Sequence, residues 1–117
     1  VLGTPVYGSA SSGGAAAASV TLTIPSAKMG FLDFIDVDGL GATTGAVANL
    51  TITGALGGTL TYNIGIAAGV TTPIAPVRLR FNPPIQASAT NTNLVCAIAS
   101  FGTGNTQSSL VAGGHYV

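Results

Sequence analysis

Wherever the apolar residues of this chain recur with a period, that period is two. Val20, Leu22 and Ile24 alternate with Thr21 and Thr23 as far as Pro25, and Ala48, Leu50 and Ile52 alternate with Asn49, Thr51 and Thr53. Leu60, Tyr62, Ile64 and Ile66 alternate in the same way with Thr59, Thr61, Asn63 and Gly65. Successive side chains of a strand point to opposite faces, so this pattern marks strands with one buried face. No segment carries an apolar stripe at helical spacing, and Thr, Val and Ile dominate where the alternation is strongest. The chain is expected to be all-β.

The remaining segments extend the same reading. Gly54-Ala-Leu-Gly-Gly58 is a short Gly-rich connection of the kind that joins antiparallel neighbours, which makes the runs on either side of it a hairpin. Leu94, Cys96 and Ile98 oppose Val95, Ala97 and Ala99, and a last strand is expected from Leu110 to Val117 after the polar loop Gly102 to Ser109. Val77, Leu79 and Phe81 point one way and Arg78 and Arg80 the other, on an exposed face. Asn82-Pro83-Pro84 is expected to stop that strand, because proline cannot donate to a ladder. Gly30 to Asp38 places Phe31, Asp33, Ile35 and Val37 on one face and Leu32, Phe34, Asp36 and Asp38 on the other. Both faces are mixed, so its register stays open.

Together these segments predict a single antiparallel β-sandwich of about seven to eight strands, jelly-roll or Greek-key like, over residues 19–117. Residues 1–18 read as a flexible N-terminal arm: Val1 to Tyr7 as a strand or anchor, then the low-complexity stretch Gly8 to Ser19. The same residues lack the basic n-region and continuous apolar h-region of an unprocessed secretory signal. A chain of 117 residues fits one domain.

Charge sets limits on function. Only 5% of residues are charged, against about 25% in an ordinary globular domain, and Lys28, Arg78 and Arg80 balance Asp33, Asp36 and Asp38. No basic footprint exists for nucleic acid. The 47% hydrophobic content argues against disorder, and every apolar run is interrupted well before the length of a membrane helix. Cys96 is the only cysteine, which rules out an intramolecular disulfide and a cysteine-based zinc site.

The candidate chemistry is sparse. His115 is the only histidine, and no Gly-x-Ser-x-Gly elbow accompanies it, so a solvated histidine is the better reading than a catalytic base for Cys96 or a serine. Asp33, Asp36 and Asp38 before Gly39 have some of the look of a calcium loop. Leu40 and Val47 fall where an EF-hand beginning at Asp36 needs oxygen ligands, and the chain has no glutamate. Strand-end carboxylates facing Arg78 or Arg80 are the expectation, with no metal and no cofactor. The same three aspartates lack an aromatic sugar platform that would suit a glycosidase. Among the tyrosines, Tyr62 lies on a core-like face, leaving Tyr7 and Tyr116 as thin support for sugar binding. Asn49-Leu50-Thr51 fits the glycosylation sequon, a pattern short enough to arise by chance.

A surface this poor in charge is best explained if much of it meets other subunits, since oligomer interfaces are depleted in charge. The arm is a natural docking device, with Leu2, Pro5, Val6 and Tyr7 as its expected partner contacts. The phrases Leu50-Thr-Ile-Thr-Gly54, Gly58-Thr-Leu-Thr-Tyr-Asn-Ile-Gly-Ile66, Arg80-Phe-Asn-Pro-Pro-Ile85, Gln86-Ala-Ser-Ala-Thr-Asn-Thr92 and Phe101-Gly-Thr-Gly-Asn105 resemble small β-rich structural proteins of tailed bacteriophage virions. The resemblance covers residues 45–117 and transfers no functional residue. It implies a non-enzymatic decoration (cement) or head-fibre protein at the capsid surface, a homotrimer whose partner is the major capsid protein, with no role for nucleic acid or membrane. The alternative is a receptor- or glycan-binding module of a phage fibre or bacterial surface appendage. A hydrolase, the third class, would depend on Asp33, Asp36 or His115.

Overall fold

A computed structural model describes residues 3–13, 17–66, 68, 77–105 and 107–117. Among them run eight strands: β1 (Thr4–Gly13), β2 (Ala18–Leu22), β3 (Gly30–Leu40), β4 (Ala46–Thr53), β5 (Leu60–Ile66), β6 (Val77–Gln86), β7 (Leu94–Ile98) and β8 (Gln107–Tyr116). They form two four-stranded sheets, ordered β1-β8-β3-β6 and β2-β7-β4-β5.

The pairing has a simple rule. Each strand pairs antiparallel with the one equally far from the other end of the series: β1 with β8, β2 with β7, β3 with β6, β4 with β5. This is the result of rolling up one long hairpin whose tip is the β4–β5 connection, where Gly57 (φ 95°) and Gly58 (φ 105°) take left-handed conformations open to glycine. The other two ladders, β3 with β8 and β4 with β7, are the seams that rolling creates. The expected antiparallel sandwich is thus present, and its strand order is that of a jelly roll.

Between the sheets, Leu22, Leu32, Ile35, Leu50, Ile52, Leu94, Ile98 and Leu110 are fully buried, each favouring the folded state by about 1.5–3 kcal/mol before entropy is counted. The alternation read from β2, β4 and β7 is the alternation of burial along them.

Three local features depart from the sequence reading. The first is β3, whose mixed faces come from a bulge: the register against both β8 and β6 shifts between Leu32 and Phe34. Against β8 Asp33 is the extra residue, whereas against β6 the surplus lies on β6, where residues 81–84 have no partner on β3. Before Asp33, Leu32 points inward; after it, Ile35 and Val37 do, so Phe34 joins Asp36 and Asp38 on the outer face. A fixed period of two cannot fit such a strand.

The second departure corrects the flexible arm. Residues 4–13 are an edge strand of the sandwich, paired with β8 from Thr4↔Tyr116 to Gly13↔Gln107. The small residues that suggested a linker instead permit close packing: a β-carbon on Gly8 would lie 2.5 Å from Val20 Cγ1 of the facing sheet. The third concerns Asn82-Pro83-Pro84, which does not end its strand. β6 runs through it to Gln86 with a cis bond at Asn82-Pro83, but its ladder with β3 lapses between Arg80 and Ile85, and on this edge strand neither proline is called on for a ladder bond.

Candidate functional site

The two outer faces of the sandwich differ in chemistry. Five of the six charged residues lie on two adjacent strands, Asp33, Asp36 and Asp38 on β3 and Arg78 and Arg80 on β6, with His115 beside them on β8. Outward positions of the other sheet are Ser19 and Thr21 on β2, Val95 and Ala97 on β7, Val47, Asn49, Thr51 and Thr53 on β4, and Thr61, Asn63 and Gly65 on β5. None of these is charged, and Val47 is 68% exposed.

On the charged face the registers align side chains into rows across all four strands. One row is Tyr7, Gly113, Phe34 and Arg80, and its neighbour is Pro5, His115, Phe31 and Gln86. In the first, the Tyr7 and Phe34 rings stand 6.3 Å apart at 41°, with Gly113 beneath them. A β-carbon on Gly113 would overlap Phe34 Cε1 and lie 2.6 Å from Tyr7 Cδ1, so the missing side chain lets both rings settle onto β8.

Arg80 completes that row. Its Cζ sits 5.0 Å from the Phe34 ring centroid, while Nη1 donates to Asp36 Oδ1 at 2.8 Å and to the Leu79 carbonyl at 3.2 Å. In the adjacent row His115 stacks on Phe31 (5.0 Å, 11°), and its Nδ1 is 2.8 Å from Asp33 Oδ2. The bulge matters here too, since Asp33 is the residue it releases from the regular pattern.

The expected partner contacts divide. Pro5 and Tyr7 lie outward and exposed on β1, whereas Val6 faces inward and packs against the core, which takes it out of a contact surface. Leu2 lies outside the described residues. Tyr62 is on the inner side, 6.3 Å from Phe81, and Asn49 and Thr51 of the sequon are outward on β4.

As for the catalytic candidates, His115 is half-buried beside Asp33 rather than free in solvent, and Cys96 is in the core. Burial pushes the Cys96 thiol up to about 12, the wrong direction for a nucleophile. Asp36 and Asp38 lie along an extended strand, not in a loop that wraps a cation; Asp38 Oδ1 accepts the Gly39 N–H at 2.8 Å. Among the described residues no three His, Cys, Asp or Glu side chains group as metal ligands. A depression of about 180 Å³ between Asp38, Gly39, Leu40, Gln107 and Ser109 has one titratable side chain, Asp38, which the register sets opposite Ser109.

Sequence reasoning missed Phe31, Phe34 and Gly113. The pattern Phe31-Leu-Asp-Phe34 gave the only hint: its apolar residues fall on both faces of a period of two, and one inserted residue resolves this.

These features define the class: an all-β jelly roll with one uncharged face and one face bearing aromatic and charged residues. Among the described residues no helix is long and apolar enough to cross a membrane. No protein-family model matches the chain, and no curated protein matches it. Among solved structures the chain is similar to an exo-β-1,3-galactanase from Phanerochaete chrysosporium, determined with galactose, at 13% identity and a TM-score of 0.39. That match covers 96% of this chain and spans 29% of the galactanase chain.

Proposed function

We propose that this chain is a structural, non-enzymatic protein of a tailed-phage virion, decorating and stabilising the outer surface of the capsid as a symmetric oligomer. A jelly roll is shared by viral capsid and lectin domains, so the fold alone does not choose a function. The observation that carries the reading is the uneven charge: the β2-β7-β4-β5 sheet presents only Thr, Ser, Asn, Ala, Val and Gly outward.

Such a face suits burial against copies of itself. Hydroxyl and amide groups pair across an interface without the penalty of taking ions out of water, and nothing on the face repels its own copy. Trimers formed this way would hold several weak contacts to the major capsid protein at once, which raises avidity without any one strong site.

Sedimentation velocity of the purified chain is expected to show a species of about 34 kDa, three copies of 11.4 kDa, that cosediments with phage heads stripped of decoration. Thr61 and Asn63 lie outward on β5, opposite Thr51 and Asn49. The double variant Thr61→Lys/Asn63→Lys should retain its β-type circular dichroism and sediment as a monomer, because two ammonium groups would then have to leave water without partners at the interface. A wild-type monomer with no affinity for heads would overturn the proposal.

A further inference from the structure

We infer that the opposite face, the outer side of β1-β8-β3-β6, binds neutral saccharides. This goes beyond the assembly reading and uses the other sheet. The face combines two things that a sugar ring needs: aromatic surface for its C–H side and rigidly held polar groups for its hydroxyls.

The aromatic surface is Tyr7 and Phe34. Tyr7 is 69% exposed and offers most of this surface, while Phe34, tilted 41° to it over Gly113, is half-buried between Tyr7 and Arg80. The polar groups flank it. Arg80 is held against the Phe34 face and by Asp36, yet half of its side chain remains open to solvent, so its donors are oriented rather than wandering. His115 is fixed between Phe31 and Asp33 one row away, with its side chain also partly open.

The charge balance selects the ligand. Three carboxylates and two guanidiniums share the outer side of β3 and β6, one more acid than base, so a sulfated or phosphorylated polymer meets repulsion as well as attraction. A purely apolar ligand would strip water from Arg80 and Asp36 and return no hydrogen bonds. A neutral, hydroxyl-rich ring offers both donors and acceptors and satisfies the mixed set.

The experiment is a titration of ¹⁵N-labelled protein with neutral probes (methyl glycosides and short oligomers of hexoses, deoxyhexoses and N-acetylhexosamines) at millimolar concentration, beside heparin as a sulfated probe. At least one neutral probe should shift amides of β1, β3, β6 and β8 and leave β4 and β5 unmoved. Tyr7→Ala and Arg80→Ala should each weaken binding about tenfold. Arg80→Lys should not restore it, since an ammonium neither stacks nor forks. Tyr7 lies on the outer face and is 69% exposed, so its variant should stay folded and keep the wild-type sedimentation, which separates this outcome from failure of the assembly reading. No shift with any neutral probe, shifts unaffected by both alanine variants, or tighter binding of heparin than of every neutral probe would each overturn the inference.

Discussion

Replacing Gly114 by alanine should lower stability by about 3 kcal/mol or more, a large share of the roughly 5–15 kcal/mol that keeps an ordinary domain folded. A β-carbon there would overlap the carbonyl oxygen of Phe31 and lie 2.9 Å from its carbonyl carbon and 3.1 Å from Leu32 Cα. All three atoms are backbone of β3, which is hydrogen-bonded on both sides, to β8 and β6, and sits beside its own bulge. No rotamer change relieves such a contact; the ladder itself must move. Gly113, the adjacent residue, faces the other way and is the built-in control. Its added carbon would meet Phe34 and Tyr7 side chains, which can swing aside, so Gly113→Ala should cost about 1 kcal/mol while lifting the rings off β8. Urea unfolding followed by circular dichroism measures both. Equal stability of the two variants would mean that the close approach of β8 to β3 is not as described.

The second large effect is on alkaline stability, and it comes from Cys96. The side chain is fully buried, on β7 between Val20 of β2 and Ile52 of β4. In the unfolded chain the thiol ionises near 9.0, whereas desolvation raises the folded value to about 12. Across that interval the unfolded chain gives up its proton and the folded one keeps it. Raising the pH therefore favours unfolding: the thiol's contribution is intact below about pH 9 and is lost progressively toward pH 12, at about 1.4 kcal/mol per pH unit. Cys96→Ala leaves a cavity and is less stable at every pH, but its stability should fall less steeply over this range, and the difference in slope isolates the thiol. A disulfide-forming thiol reagent at pH 8 should label the wild type only once denaturant has opened it. Identical slopes, or rapid labelling of the folded chain, would contradict this placement of Cys96.

Where the backbone is regular, residue alternation was enough to read the structure. The β4–β5 hairpin follows directly from Ala48-Leu50-Ile52 against Leu60-Tyr62-Ile64, and β2 and β7 follow in the same way. Reading failed wherever one strand's behaviour depends on another strand. The bulge at Asp33 is defined by its partners on β8, and it decides that Phe34 faces out while Ile35 faces in. Gly8 and Ala10 looked like linker because composition cannot tell a residue that is small for freedom from one that is small for fit. Pro83 and Pro84 looked like a stop because their position at a sheet edge is a property of the whole topology. The candidate binding face shares this limit. Tyr7, Gly113, Phe34 and Arg80 come from four separate strands, and only their common row makes them a group.

The rolled-hairpin pairing also fixes an order in time. Joining β4 to β5 closes a short loop, but each pair further out requires a larger loop, and β1 meets β8 only when almost the entire chain has been drawn in. Folding of this kind is expected to start at the middle of the sequence, zip outward, and finish slowly with the first strand. Pulse-labelled amide exchange should find β4 and β5 protected early and β1 last, so a nascent chain still lacking β8 carries its first strand without a resting place.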